Sequence, residues 1–300
     1  MMAHSGRFGA VVTAMVTPFD EGGALDLDGA ATLARWLADH GSDALVVAGS
    51  TGESMSLSDT EKFDLWRAVA HAVAIPVIAS SGTADTAHSI LLSQQAERAG
   101  AAGLLVVAPY YNRPHQAGLD AHFRAVAAAT ELPVLIYDIP IRTGRRVDTD
   151  TVLALARGVP NIVGVKDASG DLAGAARMMA EAPGGFEVYS GDDAMTLPLL
   201  ALGAVGVISV AAHWGGETFA GMTSNFAKGD TDAARECNAR LLESYPFQSM
   251  LDAPNPMPAK AMCRVMGLPV GHCRPPLTPE PADLEERARA VLGRLGAGGG

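Results

Sequence analysis

One lysine of this sequence lies where a reactive amine could act on a substrate. Lys166 ends the apolar segment 162–165 and precedes Asp167, and only three other lysines occur among the 300 residues. A buried ammonium group costs free energy unless it is paired or neutralised, and a neutral amine attacks ketones to form a Schiff base. The structural alternative is a strand-end lysine that reaches solvent or pairs with Asp167 or Asp192. The groups that follow neighbouring segments decide between the two interpretations.

Polar side chains follow other apolar segments at similar positions. Tyr137 ends the segment before that of Lys166, and a phenol beside an imine can relay protons. Ser50 and Thr51 lie between glycines, where two hydroxyls and exposed backbone amides can hold a carboxylate. Arg142 lies between a proline and a glycine on a loop, where its guanidinium can bind an anion. Each has an ordinary structural alternative: a rim tyrosine, a turn before a helix, and a solvated loop arginine.

Metal and phosphate sites have little support in the sequence. The eight histidines are scattered without a metal-ligand spacing, and Asp192 and Asp193 have no third ligand near them in the chain. No glycine-rich loop of the GxxxxGK[ST] type is present to bind phosphate. We therefore expect no metal and no cofactor, and we expect the substrate to be a carboxylate.

Eight short apolar segments, each followed by a stretch with helical periodicity, make up most of the chain. They are too short for helices and nearly continuous in hydrophobicity, which is typical of parallel strands covered on both faces. Eight strand–helix units predict an α/β fold, a (β/α)8 TIM barrel, whose active site lies at the C-terminal strand ends. The alternative is an open doubly wound sheet, although no GxGxxG follows the first segment. The segments begin at Val11, Ala44, Pro76, Gly103, Pro133, Asn161, Phe186 and Ala204.

The pattern changes after Ala227, where no apolar strand segment separates the helical stretches. We expect helices over 230–251, 256–266 and 279–295. These would form a small helical module packed on the barrel. The predicted organisation is a barrel over 8–227, a C-terminal helical module over 228–296 and a disordered tail over 297–300.

Charge and composition exclude several classes of partner. The formal net charge of −11 makes binding to nucleic acid or to an anionic membrane surface unexpected. No apolar run approaches the roughly 18 residues of a membrane-spanning helix, and residues 1–7 lack the apolar core of a signal peptide. The three cysteines form no CxxC pair, which favours reduced thiols and a cytoplasmic location.

Seven segments in a fixed order resemble the family of dihydrodipicolinate synthases and N-acetylneuraminate lyases. The resemblance extends from about Phe8 to the last helix, and it implies a (β/α)8 barrel with C-terminal helices, usually assembled as a tetramer of tight dimers. Each segment is modest alone, but the seven together are specific. They are GSTGE from Gly49, PYYNRP from Pro109, YDIPIRTG from Tyr137, VGVKDASG from Val163, SGDD from Ser190, GVISV from Gly206 and NPMPAK from Asn255.

The resemblance implies a role for each matching residue. Lys166 would form the Schiff base with pyruvate, and Tyr137 would donate and accept protons. Ser50 would link Tyr137 to Tyr111 in a hydroxyl relay, with Tyr111 supplied by a neighbouring subunit. The other implied roles are pyruvate binding by Thr51 and the Ile208 segment, space beside the imine at Gly191, and the carboxylate of the incoming aldehyde at Arg142.

The implied reaction is the condensation of pyruvate with L-aspartate 4-semialdehyde to 4-hydroxy-tetrahydrodipicolinate, in lysine and diaminopimelate biosynthesis. Arg142 favours this reaction because sialate lyases generally lack an arginine there, whereas Ser50 stands where the synthase branch usually has threonine. His213 replaces the asparagine of many relatives and has no assigned role. Two alternatives stay open: an aldolase of the same family that acts on a sugar acid (like N-acetylneuraminate lyase or a 2-keto-3-deoxy acid aldolase), and a barrel that binds a carboxylate without catalysis.

Overall fold

Eight parallel strands close into a barrel, in chain order around its axis. The computed structural model describes residues 6–297. Each strand pairs with the next in the chain, and the last pairs with the first, so the predicted (β/α)8 barrel is confirmed. The strands are β1 (Val11–Ala14), β2 (Ala44–Val47), β3 (Val77–Ser80), β4 (Gly103–Val107), β5 (Val134–Asp138), β6 (Ile162–Asp167), β7 (Glu187–Ser190) and β8 (Gly206–Ser209).

Helices follow the strands and cover the outside of the barrel. Ser58 and Glu61 form a capping box, and the carboxylates of Asp26 and Asp85 accept backbone hydrogen bonds at two other helix starts. A short helix is inserted between the fifth strand and the helix that packs beside it. The helices of this part are α1 (Leu27–Asp39), α2 (Asp59–Ala72), α3 (Thr86–Arg98), α4 (Gln116–Ala127), α5 (Pro140–Thr143), α6 (Thr149–Gly158), α7 (Leu172–Glu181), α8 (Thr196–Leu202) and α9 (Ala212–Ala227).

Side chains along each strand alternate between the barrel interior and the layer beneath the helices. Tyr137 and Ile208 belong to the buried cluster inside the barrel. Lys166 on β6 is in register with Tyr137 on β5, so both side chains point inward near the C-terminal rim. The residues that follow them, Asp138 and Asp167, therefore point to the outer layer. Strand register thus brings an amine and a phenol together and directs the adjacent carboxylates away from them.

The chain after the barrel is helical, as predicted, but the single helix expected over 230–251 is wrong. It breaks at residues 242–243, because Pro246 has no N–H to donate to the carbonyl of Leu242. The last helix begins at Leu284 rather than near residue 279, beyond Pro279 and Pro281. These helices are α10 (Thr231–Leu241), α11 (Ser244–Gln248), α12 (Met257–Val265) and α13 (Leu284–Ala297).

Helix α10 packs against α9, and α13 packs against α12. The division of the chain at residues 227–228 stays a prediction. Ala297 of the expected tail is the last residue of α13, and residues 298–300 lie outside the described part. Within residues 6–297, no helix is both long enough and apolar enough to cross a membrane.

Candidate active site

A cavity of about 380 Å³ lies at the C-terminal ends of the strands, beneath α11. This is the end of a barrel at which the loops after the strands converge. Six of the predicted site residues line it, whereas Tyr111 and Ile208 do not. The six are Ser50, Thr51, Tyr137, Arg142, Lys166 and Gly191.

The amine of Lys166 lies at the bottom of this cavity, against an aromatic ring. The residue is 4% exposed, and Nζ lies 4.2 Å from the centroid of the Tyr137 ring. Within residues 6–297, no carboxylate lies within 4.0 Å of this nitrogen, so the alternative of a pair with Asp167 or Asp192 is not observed. A small void of about 10 Å³ beside Ser50 and Tyr137 also reaches Lys166. The amine is buried, lacks a counterion in the part of the chain that the structure describes, and is open to the cavity.

Glycine at position 191 leaves space for the stem of this lysine. A Cβ at Gly191 would lie 3.0 Å from Lys166 Cγ and 2.9 Å from Ala168 Cβ, closer than carbon atoms normally approach. Any larger residue at position 191 would therefore displace the lysine stem or the residue after its strand. Gly191 thus lies against the stem of Lys166 in the lining of the cavity.

The loop after β2 supplies hydroxyls to the wall of the cavity. Thr51 is 3% exposed, and its Oγ1 accepts a hydrogen bond of 3.1 Å from Asn255 Nδ2. Asn255 precedes α12 and lines the cavity as well, and its Oδ1 has no hydrogen-bond partner among the described residues. Ser50 lines the cavity beside Tyr137. The GSTGE and NPMPAK segments, far apart in the chain, thus form one wall.

Arg142 lies on α5 at the mouth of the cavity, and its side chain is exposed. None of the ion pairs within 4.0 Å among residues 6–297 includes Arg142. Its guanidinium therefore keeps its donors available for an anion that enters the cavity.

Two predicted site residues lie away from the cavity. Tyr111, on the loop after β4, is 95% exposed and has a left-handed backbone with φ of +71°. Ile208 is buried inside the barrel with Tyr137, and Val210, two residues later, lines the cavity instead. Tyr111 is therefore not part of the cavity of its own chain. Ile208 lies inside the barrel, beneath the cavity.

The upper wall of the cavity includes residues that the sequence interpretation did not select. Tyr245 and Gln248 of α11 line it, together with Asp193 after β7. Asp193 Oδ2 accepts a hydrogen bond of 2.8 Å from the backbone N–H of Ala211, and its burial raises the pKa of this carboxyl. The SGDD segment was a signal for Asp193. Nothing in the local pattern indicated that α11 would cover the barrel mouth.

His213 is fully buried and hydrogen-bonded on both sides of its ring. Its Nε2 accepts a hydrogen bond of 3.1 Å from the backbone N–H of Val16, and its Nδ1–H donates to the carbonyl of Val210 over 2.8 Å. This arrangement requires the neutral ring, and burial lowers the pKa of His213 to about 4. The residue joins the loop after β1 to the loop after β8, next to a residue of the cavity wall.

A second buried lysine lies behind the GSTGE loop. Lys260 Nζ lies 2.7 Å from Glu53 Oε1 and donates a hydrogen bond of 2.8 Å to the carbonyl of His272. It also lies 4.1 Å from the centroid of the Phe19 ring. Glu53 accepts a further hydrogen bond of 2.8 Å from the backbone N–H of Arg274. This cluster joins the loop after β2 to α12 and to the segment before α13.

Metal ligands are not grouped in the structure. Among the described residues, no three histidine, cysteine, aspartate or glutamate side chains are placed to hold a metal ion. The side chains that line the cavity offer an amine, hydroxyls, two phenols, a guanidinium, amides and the carboxylates of Asp192 and Asp193.

A parallel barrel with a buried lysine and a tyrosine at its C-terminal rim is the arrangement of lysine-dependent aldolases and lyases. The profile of the dihydrodipicolinate synthetase family matches residues 7–294, and the chain belongs to this family.

Individual relatives agree with this assignment over almost their whole length. The chain is 49% identical to the 4-hydroxy-tetrahydrodipicolinate synthase of Moorella thermoacetica, over 97% of this chain and 99% of that one. It is 44% identical to the enzyme of the same name from Bacillus subtilis, over 96% and 100% of the two chains. Among solved structures, the dihydrodipicolinate synthase of Cyanidioschyzon merolae with lysine bound superposes with a TM-score of 0.94 at 42% identity, over 97% of this chain and 99% of that one.

Proposed function

We propose that this chain is a 4-hydroxy-tetrahydrodipicolinate synthase, which condenses pyruvate with L-aspartate 4-semialdehyde through a Schiff base on Lys166. The observation that carries the proposal is the buried amine of Lys166, unpaired and 4.2 Å from the Tyr137 ring in the cavity of the barrel rim. The names of the relatives, at 44% and 49% identity over nearly the full length, support the same reaction. The family's sugar-acid aldolases have no comparable support among these relatives.

The first half of the reaction takes place on pyruvate. The neutral amine of Lys166 attacks the ketone carbon, and loss of water leaves an imine. Loss of a proton from the pyruvate methyl group converts the imine to an enamine, and Tyr137 is the nearest phenol to carry protons in these steps. Thr51, buried in the cavity wall, holds the pyruvate carboxylate with its amide and hydroxyl.

The second half joins the aldehyde. The enamine carbon attacks the aldehyde carbon of the second substrate, and Arg142 at the mouth binds the carboxylate of that substrate. The amino group of the joined product then attacks the imine carbon, which closes the ring and releases the amine of Lys166. Fixed donors for both carboxylates orient the two reactants, so the barrier in the bimolecular step falls.

The relay through Ser50 requires a second subunit. Ser50 and Tyr137 share the cavity wall, whereas Tyr111 is 95% exposed and outside the cavity of its own chain. We therefore propose that Tyr111 enters the active site of a partner subunit in a dimer. Two such dimers are proposed to form a homotetramer. We also propose that the protein acts in the cytoplasm.

The shared site can be tested with hybrid dimers. Tyr111→Phe should lower turnover by roughly 10²–10⁴-fold, the contribution of a lost acid–base group. Mixing this variant with Lys166→Ala chains should restore activity, because one site of each hybrid regains both groups. No rescue in dimers verified as hybrids would contradict the shared site.

A turnover assay with several aldehydes tests the proposed reaction. The purified chain is given pyruvate with L-aspartate 4-semialdehyde, with sugar aldehydes, or with N-acetylmannosamine. We expect the highest kcat/KM with L-aspartate 4-semialdehyde. A higher value with a sugar would establish the sugar-acid alternative. Pyruvate binding without turnover of any aldehyde would support the non-catalytic barrel.

A further inference from the structure

Two loops of the barrel rim are joined by a reciprocal pair of hydrogen bonds. Arg113, on the loop after β4, donates from Nε to the carbonyl of Gly144 over 2.8 Å. Arg145 donates from Nη2 back to the carbonyl of Arg113 over 3.3 Å. Gly144 directly follows α5, the helix that carries Arg142, and Arg113 belongs to the loop that carries Tyr111. The contact therefore links the two loops whose side chains are proposed to act on the substrates.

The backbone on both sides of this contact is left-handed. Arg113 has φ of +49°, and Gly144 has φ of +68°. A non-glycine residue in this region persists only where its surroundings hold it, and Arg113 is held by the contact itself. A Cβ at Gly144 would lie 3.3 Å from Arg113 Cδ, so the arginine stem packs directly on the glycine.

Two other hydrogen bonds hold the chain that follows α5, at residues 146 and 147. Asp138 Oδ1 accepts a hydrogen bond of 3.1 Å from the backbone N–H of Val147, and Gln116 Nε2 donates to the carbonyl of Arg146 over 2.9 Å. Neither contact reaches α5 itself. Of these contacts, the hydrogen bond from Arg113 to the carbonyl of Gly144 is therefore the nearest to Arg142 along the chain.

We propose that Arg113 is a positioning residue for the second substrate: it fixes the end of α5 so that Arg142 points over the cavity. Arg113 does not line the cavity, so it acts through Arg142 rather than on the substrate. The inference rests on the proposed function, because Arg142 is taken to bind the carboxylate of the aldehyde.

The test measures the KM of each substrate in Arg113→Ala, with the full chain. We expect the KM for L-aspartate 4-semialdehyde to rise about tenfold, as for a lost hydrogen bond to a charged group. The KM for pyruvate and the rate of imine formation should stay within about twofold of the parent. Arg157→Ala is the matched control: it removes an exposed arginine that donates to Glu181 on the outer helices, and it should change neither KM.

Two further variants separate positioning from a general loss of structure. Arg142→Ala alone should raise the KM for the aldehyde roughly 10–150-fold, and R113A should add nothing to it in the double variant R113A/R142A. Gly144→Ala changes the other partner of the contact and should raise the same KM selectively. A parallel rise in both KM values, or additive effects in the double variant, would overturn the inference.

The failure of this inference can be told apart from failure of the proposed function. A parent that condenses L-aspartate 4-semialdehyde while R113A keeps its KM contradicts the role of Arg113 alone. A parent that condenses no aldehyde of this type overturns the proposed function, and the role of Arg113 with it.

Discussion

The two most deeply buried lysines of the molecule differ in what surrounds the amine. Lys260 is 0% exposed, and its Nζ contacts the Glu53 carboxylate, the carbonyl of His272 and the face of Phe19. Lys166 is 4% exposed, and its Nζ faces the Tyr137 ring and an open cavity. Burial alone therefore does not make a lysine reactive. The contact with the Glu53 carboxylate makes Lys260 a structural link, whereas the amine of Lys166 has no carboxylate within 4.0 Å among residues 6–297 and stays available for chemistry.

This difference predicts that replacing Lys166 mainly lowers turnover, whereas replacing Lys260 mainly lowers stability. Lys166→Ala should fold like the parent, because the amine makes no ion pair, yet turnover should fall by at least roughly 10³-fold, since the nucleophile is gone. Steady-state kinetics and a thermal melt measure the two properties. Lys228→Ala, which removes an exposed lysine after α9, is the control and should change neither. A Lys166→Ala enzyme with turnover near the parent value would remove the Schiff base from the mechanism.

Replacing the partnered lysine should mainly affect stability. Lys260→Met leaves the Glu53 carboxylate buried without its partner, which should lower the free energy of unfolding by about 3–5 kcal/mol. The double variant Glu53→Gln/Lys260→Met removes the orphaned charge and should recover part of that loss. Urea denaturation measures the change. A loss of imine formation in folded Lys260→Met, with stability unchanged, would reverse the roles of the two lysines.

Much of the site could be predicted because parallel strands end at one rim. Lys166, Tyr137 and Gly191 end or follow neighbouring strands, so their meeting follows from the barrel alone. The position of α11 above the cavity could not be predicted in this way. It depends on a break that Pro246 introduces and on packing between distant segments, neither of which appears as a periodic pattern.

The contact between Lys260 and Glu53 could not be predicted from the sequence either. The sequence indicates neither that Glu53 and Lys260 approach each other nor that a carbonyl of the last segment completes the site. His213 was noted as a departure from relatives, but its two backbone partners come from separate loops. Long-range polar contacts of this kind are set by the packed fold rather than by local propensity.

His213 is a third buried base, and its two hydrogen bonds require the neutral form of its ring. Its pKa is lowered to about 4 in the folded chain, from a usual value near 6.5. As the pH falls from about 6.5 to about 4, His213 becomes protonated in the unfolded chain but stays neutral in the folded chain. This one group should therefore lower the free energy of unfolding by about 1.4 kcal/mol for each pH unit between roughly 6.5 and 4.

The variant His213→Asn isolates this contribution, because an amide can both donate and accept but does not titrate. Its stability relative to the parent should rise steadily as the pH is lowered from 7 to 4.5, in urea denaturation series. The pKa of His122 is also lowered to about 4 by burial, but that residue is common to both proteins and cancels in the difference. A difference that does not change with pH would show that His213 titrates normally in the folded chain.

Trapping the imine tests the distinction between the two lysines most directly. The parent chain is incubated with pyruvate and borohydride, digested, and its four lysine-containing sites are compared by peptide mass. Lys166 should carry one reduced pyruvate adduct, while Lys62, Lys228 and Lys260 stay unmodified, and Lys166→Ala should carry none. An adduct at Lys260, or no adduct under conditions in which the enzyme turns over, would contradict the assignment of Lys166 as the Schiff-base residue.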